Sequence, residues 1–247
     1  DTLRSMRKVL FFFFYIVFAL EFFFFLAPGE YGCREVCAWE EIRYGRGKSV
    51  ALTFDDGPQA GYTDRILDIL KRYNVKSSFF VVGGNAASES ELIKRTVAEG
   101  HLVANHSQYH NNLTKLPPEN VHIEWDMCQE TIRAITGSYP VYCRPPGGQY
   151  NAHVLELAAK RGLVSVFWTV NPGDYGAKDS AEDLARKVVR QIHPGAIVLL
   201  HIGVAPTVEA LPAIIEGIRN RGYSFVTVDQ LPRRETARLH HTAGKGQ

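Results

Sequence analysis

Ser49-Val50-Ala51-Leu52-Thr53-Phe54-Asp55-Asp56-Gly57-Pro58 opens on six strand-forming residues and breaks at two adjacent carboxylates and a Gly-Pro turn. Outward from it, Tyr62–Tyr73 carries Ile66, Leu67, Ile69 and Leu70 at helical spacing. Ser78–Val82 then reads as a buried strand. The alternation continues to the end of the chain. Strands are expected at Leu102–Asn105, Val141–Cys143, Val164–Thr169, Ile197–Leu200 and Phe225–Val228. Helices are expected at Glu89–Ala98, Pro117–Ile135, Ala152–Arg161, Ala181–Ile192 and Val208–Arg221, with Gly100, Gly162 and Gly222 where C-caps belong. About seven strands alternating with helices predict an α/β domain with a parallel sheet or barrel.

In such folds the working site gathers at the carboxyl ends of the strands. The candidates all fall there: Asp55 and Asp56, then His106 and His110, then Arg144, Asp174 and His201. Adjacent carboxylates repel. A metal ion taking one of Asp55 and Asp56 would leave the other as a base, whereas the plainer reading is a turn with solvated acids. His106 and His110 are spaced i, i+4 and face one way if they share a helical turn. Two imidazoles with a carboxylate suit a hydrolytic zinc site. Arg144 heads the rigid run Arg144-Pro145-Pro146-Gly147-Gly148. It could hold a carboxylate bidentately, and the Gly147 N–H could face an oxyanion; a surface turn is the alternative. His201 suits a general acid near neutral pH. His101 and His122 lack this placement and are read as ordinary residues. Cys128 and Cys143 are read as core packing.

The chain has 247 residues, with Lys plus Arg at 28, Asp plus Glu at 26 and a net charge of +2. That balance leaves no footprint for wholesale nucleic-acid binding. Four Cys are too few for a disulfide scaffold. The mean hydropathy of −0.14 averages over a very uneven chain. Arg4, Arg7 and Lys8 precede an apolar run from Val9 to Leu20, which Glu21 interrupts and Phe22–Leu26 resume. As a helix, Val9 to Pro28 spans about 30 Å, one hydrocarbon core. Residues 1–28 are expected to form a hydrophobic helix, as a signal-anchor or a cleaved signal peptide; a buried core helix is the remaining alternative. The basic flank puts the rest of the chain outside. Residues 29–47 read as a tether, in which Cys33 and Cys37 either pair or stay free. Residues 48–231 form the α/β domain and 232–247 a polar tail.

Taken in order, these parts resemble the polysaccharide deacetylases, carbohydrate esterase family four, over Ser49 to Leu231. Thr53-Phe54-Asp55-Asp56-Gly57 and His106-Ser107-Gln108-Tyr109-His110 carry the resemblance, supported by Arg144-Pro145-Pro146 and Leu199-Leu200-His201. It implies a distorted (β/α) barrel. It also implies N-deacetylation of amino sugars in a polymer such as peptidoglycan or chitin. The wording around His193-Pro194-Gly195-Ala196 looks most like the bacterial peptidoglycan enzymes. By the same resemblance Asp56, His106 and His110 bind Zn²⁺ or another divalent transition metal. Asp55 is the base, Arg144 orients it, and the Gly147 N–H faces the oxyanion. His201 protonates the leaving amine, Leu199 lines the acetyl-methyl pocket, Asp174 tunes a neighbouring charge and Tyr175 walls the groove.

Two departures bear on substrate choice. Asn171-Pro172-Gly173-Asp174-Tyr175 stands where the family usually has Asp-x-x-Asp-Trp, and Gly147 stands where it usually has an aromatic residue. An O-acetyl esterase on a xylan-like polymer, or a non-catalytic glycan-binding protein of the same fold, are the alternative readings. The expected partners are an acetylated polysaccharide and, through the N-terminal segment, the membrane; no nucleic acid is expected. The chain is expected to work as a monomer in the cell envelope, outside the cytoplasm.

Overall fold

A computed structural model describes residues 41–176 and 179–232. The hydrophobic segment at 1–28, Cys33 and Cys37, and residues 233–247 of the tail lie outside the described residues. No helix among the described residues is long and apolar enough to cross a membrane.

The chain runs β1 Glu41–Ile42, β2 Ser49–Asp55, α1 Thr63–Arg72, β3 Ser78–Val81, α2 Gly83–Ser88, α3 Ser90–Ala98, β4 Leu102–Asn105 and α4 Pro118–Thr136. It continues with β5 Tyr142–Cys143, α5 Ala152–Ala159, β6 Val164–Val166, α6 Ala181–Gln191, β7 Ile197–His201, α7 Ala205–Asn220 and β8 Ser224–Phe225. The strands lie in the order β1-β6-β5-β4-β3-β2-β7, with β8 beside β2, and every pairing is parallel. Past β6 the chain bends across to β7. Thr169 and Val170 both donate to the Ile197 carbonyl, and Val170 bridges Val198. This irregular link joins the β6 side of the sheet to β7, so the sheet curls as a distorted (β/α) barrel does.

The period of two along β2 explains both faces. Val50, Leu52 and Phe54 pack against Ile66, Leu67 and Leu70 of α1 and Ile214, Ile215 and Ile218 of α7. Ala51 faces the other way, into a cluster with Phe80 and Ile197. Thr53 and Asp55 share the face of Ala51, which aims a carboxylate into the interior at the strand's carboxyl end. Each fully buried Leu, Ile or Phe contributes roughly 1.5–3 kcal/mol, and this stabilisation offsets the cost of lining the interior with polar groups. Helix α4 begins at a proline and ends at Gly137, whose φ of 80° is the left-handed closing turn that glycine adopts most readily.

Four details differ from the sequence reading. Glu41–Ile42, within the stretch read as a tether, pairs with Ser165 and Val166 of β6. A two-residue strand with one buried side chain leaves no periodic trace. Helix α2 went unpredicted because its two glycines argue against helix; Gly83 and Gly84 instead donate to the carbonyls of Ser107 and Gln108. Strand β6 stops at Val166, since the next residues cross to β7. Strand β8 lies at Ser224–Phe225 rather than Phe225–Val228, and the Val228 N–H is taken by Ser78 Oγ.

Candidate active site

Strand register brings the first residues together. Asp55 lies opposite Phe80 on β3 and opposite His201 on β7. Arg144 leaves the end of β5 and is wholly buried. Its guanidinium donates to Asp55 Oδ1 at 2.6 Å, to Thr53 Oγ1 at 3.0 Å, and to the carbonyls of Val166 at 3.0 Å and Phe167 at 3.5 Å. The Phe80 ring lies 4.0 Å from the guanidinium carbon. A charge this deep is tolerated because its donors and its flat face are engaged. The contact with Asp55 is through one nitrogen, not the bidentate grip expected, because the backbone of the β6 end takes the others. One Asp55 oxygen is therefore tied down. The other, Oδ2, turns toward His106, 3.7 Å from Nε2.

Asp56 breaks from the strand with φ of 73°, and its carbonyl accepts from Asn85 Nδ2 at 2.8 Å. His106 follows β4. Its Nδ1 is 2.7 Å from the Arg144 carbonyl. A carbonyl only accepts, so Nδ1 carries a hydrogen, and in the neutral ring the Nε2 lone pair faces the acids. That Nε2 is 3.4 Å from Asp56 Oδ1, and His110 Nε2 is 3.1 Å from the same oxygen. The imidazoles converge without a helical turn. Residues 106–110 form a loop in which Ser107 and His110 take φ of 67° and 58°. Left-handed backbone costs about 1–2 kcal/mol at each such residue and persists only where the surroundings hold it.

One carboxylate oxygen and two imidazole nitrogens thus lie within 4.8 Å of one another. Asp56 Oδ1 is buried and has no conventional hydrogen-bond partner. A lone pair of His106 facing a carboxylate oxygen is a pairing of acceptors, and a cation between them resolves it. This donor set fits a divalent transition ion. The electrostatics agree. Burial pushes Asp56 up, but positive charge on His106 and His110, in their protonated forms, outweighs it and holds Asp56 well below the usual carboxylate range. The nearby Asp56 carboxylate raises His110 in turn, against burial.

The second half of the site sits beside β7. Asp174, itself buried, accepts from the His201 N–H at 2.7 Å, from His201 Nδ1 at 2.8 Å and from Thr207 Oγ1 at 2.7 Å. Burial alone would lower His201; the Asp174 carboxylate outweighs it and raises the imidazole above its ordinary value. Tyr175 is 71% exposed, its ring 5.3 Å from that of His201. Leu199 is buried two residues before His201 and so shares its face. Gly147 lies in the short turn Pro146–Gly148 after Arg144, with φ of 60°. Asn171 turns back on its own loop, its Oδ1 accepting from the Gly173 N–H at 2.9 Å. Cys128 and Cys143 are buried thiols, both pushed up to about 12 by burial, and fit core packing.

Thr53, Thr207 and Glu124 escaped the sequence reading. Period-two alternation could have found Thr53, two residues before Asp55. Nothing local marks Thr207 or Glu124, whose partners are distant in sequence. A cleft of about 690 Å³ that includes Arg46, Thr169 and His193 lies at the other end of the strands and holds none of these residues.

The polysaccharide deacetylase family model matches residues 43–166. The chain is 39% identical to a chitooligosaccharide deacetylase from Bradyrhizobium, covering 74% of this chain and 90% of that one. It is 37% identical to the peptidoglycan-N-acetylmuramic acid deacetylase PdaA of Bacillus subtilis, covering 78% and 74%. Among solved structures, the peptidoglycan N-acetylglucosamine deacetylase Bc1960 superposes with a TM-score of 0.73 at 31% identity, covering 78% of this chain and 94% of that one.

Proposed function

This chain belongs to the polysaccharide deacetylase family, and from that premise we propose that it is a metal-dependent hydrolase of N-acetyl groups on amino sugars. Its substrate in this reading is a cell-envelope polysaccharide, peptidoglycan first and chitin-type oligomers next. One observation carries the reading: Asp56, His106 and His110 converge as a ligand set, while the adjacent Asp55 is kept out of it by buried Arg144. One carboxylate is thereby given to a metal and its neighbour to proton transfer.

In this reading Asp56, His106 and His110 hold Zn²⁺ or another divalent transition ion. Such an ion lowers the pKa of a water molecule it binds and polarises the acetyl carbonyl. Asp55 takes the proton of the attacking water through Oδ2, and the Arg144 contact to Oδ1 fixes the direction of that oxygen. The Gly147 N–H faces the oxyanion as the carbonyl carbon becomes tetrahedral. His201 gives its proton to the departing amine nitrogen, and acetate is released. Asp174 keeps His201 protonated and Leu199 lines the pocket for the acetyl methyl group. Tyr175 offers an exposed ring for a sugar face. The apolar run in residues 1–28 supports a place outside the cytoplasm, membrane-anchored or secreted, and we read the chain as a monomer.

Acetate release from peptidoglycan, chitooligosaccharide and acetylxylan, measured side by side on the purified chain with Zn²⁺ and with chelator, tests this. Release from the first two that chelator abolishes and Asp55→Ala reduces by at least about 100-fold is expected. Release from acetylxylan alone would make it an O-acetyl esterase. Glycan binding with no release from any of them would leave a binding protein.

A further inference from the structure

Glu124 sits on the buried face of α4, with Val121, Trp125, Cys128 and Ile132, and is itself 3% exposed. A carboxylate on such a face is costly unless its oxygens are fully used. Here they are used on one loop. Oε2 accepts from the N–H groups of Gln108 and Tyr109, both at 2.9 Å, and Oε1 accepts from Asn111 Nδ2 at 2.5 Å. Two successive N–H groups closing on one oxygen form a small anion cradle. The flanking groups are held differently: the Ser107 N–H by Asn105 Oδ1 at 2.8 Å, and the His110 N–H by Ser107 Oγ at 3.0 Å. Gly83 and Gly84 hold the carbonyls of Ser107 and Gln108, but the N–H groups in the middle of the loop between the two histidines depend on Glu124.

We infer that Glu124 is a positioning residue that sets the spacing of His106 and His110 for metal binding; this rests on the metal reading above. The two histidines are secured unequally. His106 is buried and anchored by the Arg144 carbonyl. The His110 side chain is 43% exposed and reaches Asp56 from a left-handed backbone position at the loop's end. Without Glu124, the N–H groups of Gln108 and Tyr109 lose their acceptor and the loop relaxes toward water. His110 is the ligand that drifts. The site is left with Asp56 and His106, and affinity falls rather than disappearing.

The test is Zn²⁺ affinity, read by competition with a chromophoric chelator on the purified chain. Glu124→Met, which keeps the length and loses the acceptors, is expected to bind Zn²⁺ roughly 10- to 100-fold more weakly. Glu124→Gln is expected to stay within about threefold, because its amide oxygen still accepts both N–H groups and Asn111 can turn its own oxygen to the new amide donor. Asn111→Ala removes one of the three ties from a more exposed position, and about a three- to tenfold loss is expected even if Glu124→Met fails to fold. Val188→Ala on α6 serves as a core-destabilised control and should keep wild-type affinity. Wild-type affinity in a folded Glu124→Met, or in Asn111→Ala, overturns the inference, as does equal weakening in Val188→Ala. If the wild-type chain itself binds no Zn²⁺, the metal reading falls first and this inference with it.

Discussion

A histidine serves as an acid near neutral pH only if something keeps its proton in place. His201 is raised because Asp174, 2.8 Å away, outweighs burial. The sign of the pH effect follows. In the proposed reaction the protonated form is the active one, so activity should fall as pH rises through the raised pKa of His201. Asp174→Asn removes the nearest carboxylate and leaves only the more distant charges of Asp55 and Asp56 against burial, and the pKa drops. The alkaline limb of kcat/KM should therefore move to lower pH, with kcat down roughly 10- to 100-fold, as a weakened general acid implies. A pH profile of the Zn²⁺-loaded protein would read it; a limb that stays in place removes His201 from the role of acid. At this scale the residue types were legible. Carboxylate, imidazole and guanidinium at strand ends are chemical signals in any sequence. Thr207, which holds Asp174 from the first turn of α7, carries no such signal.

At the scale of elements, strand edges and crossings decide what the residues can reach. Gly195 stands between α6 and β7 with φ of 73°, and a methyl group there would come within 2.1 Å of the Gly45 backbone. Gly162, after α5, has φ of 71° with nothing within 4 Å. The two glycines share a conformation and differ in crowding, which separates the two costs. Gly162→Ala should lower stability by about 1–2 kcal/mol, the left-handed penalty alone. Gly195→Ala should add an overpacking cost of about 1–3 kcal/mol, since the obstacle is backbone and not a side chain that can swing away. Urea denaturation of both variants checks this, and equal losses would refute the packing account. Elements with a strong period, such as β2 and α1, were readable. Helix α2 was not, because its glycines pack against the loop of residues 106–110 rather than follow helix propensity.

For the molecule as a whole, buried titratable groups set the acid limit of stability. His101 is 6% exposed, packs edge-on against Phe79 at 5.4 Å, and accepts the Ser77 N–H on Nδ1 at 3.1 Å. Burial, with Lys76 nearby, pushes it down from 6.5 to about 4. The unfolded chain therefore binds a proton at His101 between these values and the folded chain does not. Stability is fully present above pH 6.5 and is lost as pH falls toward 4. Between pH 7 and 5 the loss from this group is about 2 kcal/mol. His101→Asn keeps an acceptor for Ser77 and cannot titrate. It should be less stable at pH 7 through lost packing, yet its unfolding free energy should change less between pH 7 and 5. An unchanged pH difference would assign the acid limit to other groups.

The sequence by itself determined the strand and helix order from β2 onward, helix α2 excepted, and which residues stand on the carboxyl rim. It also determined that Asp55, Thr53 and Ala51 share a face. These are local matters, set by side-chain periodicity and turn chemistry over a few residues. The motifs Thr53-Phe54-Asp55-Asp56-Gly57 and His106-Ser107-Gln108-Tyr109-His110 carried the family with them. Only the tertiary structure decided how those residues meet. His106 and His110 converge through a left-handed loop and not a helical turn. Arg144 gives one nitrogen to Asp55 and the rest to Thr53 and the β6 end. Glu41–Ile42 belongs to the sheet. Glu124, on a helix face otherwise apolar, closes on the loop between His106 and His110. Each of these depends on a partner far away in the chain, and the distance between such partners is set by how layers pack, which no short stretch of sequence encodes.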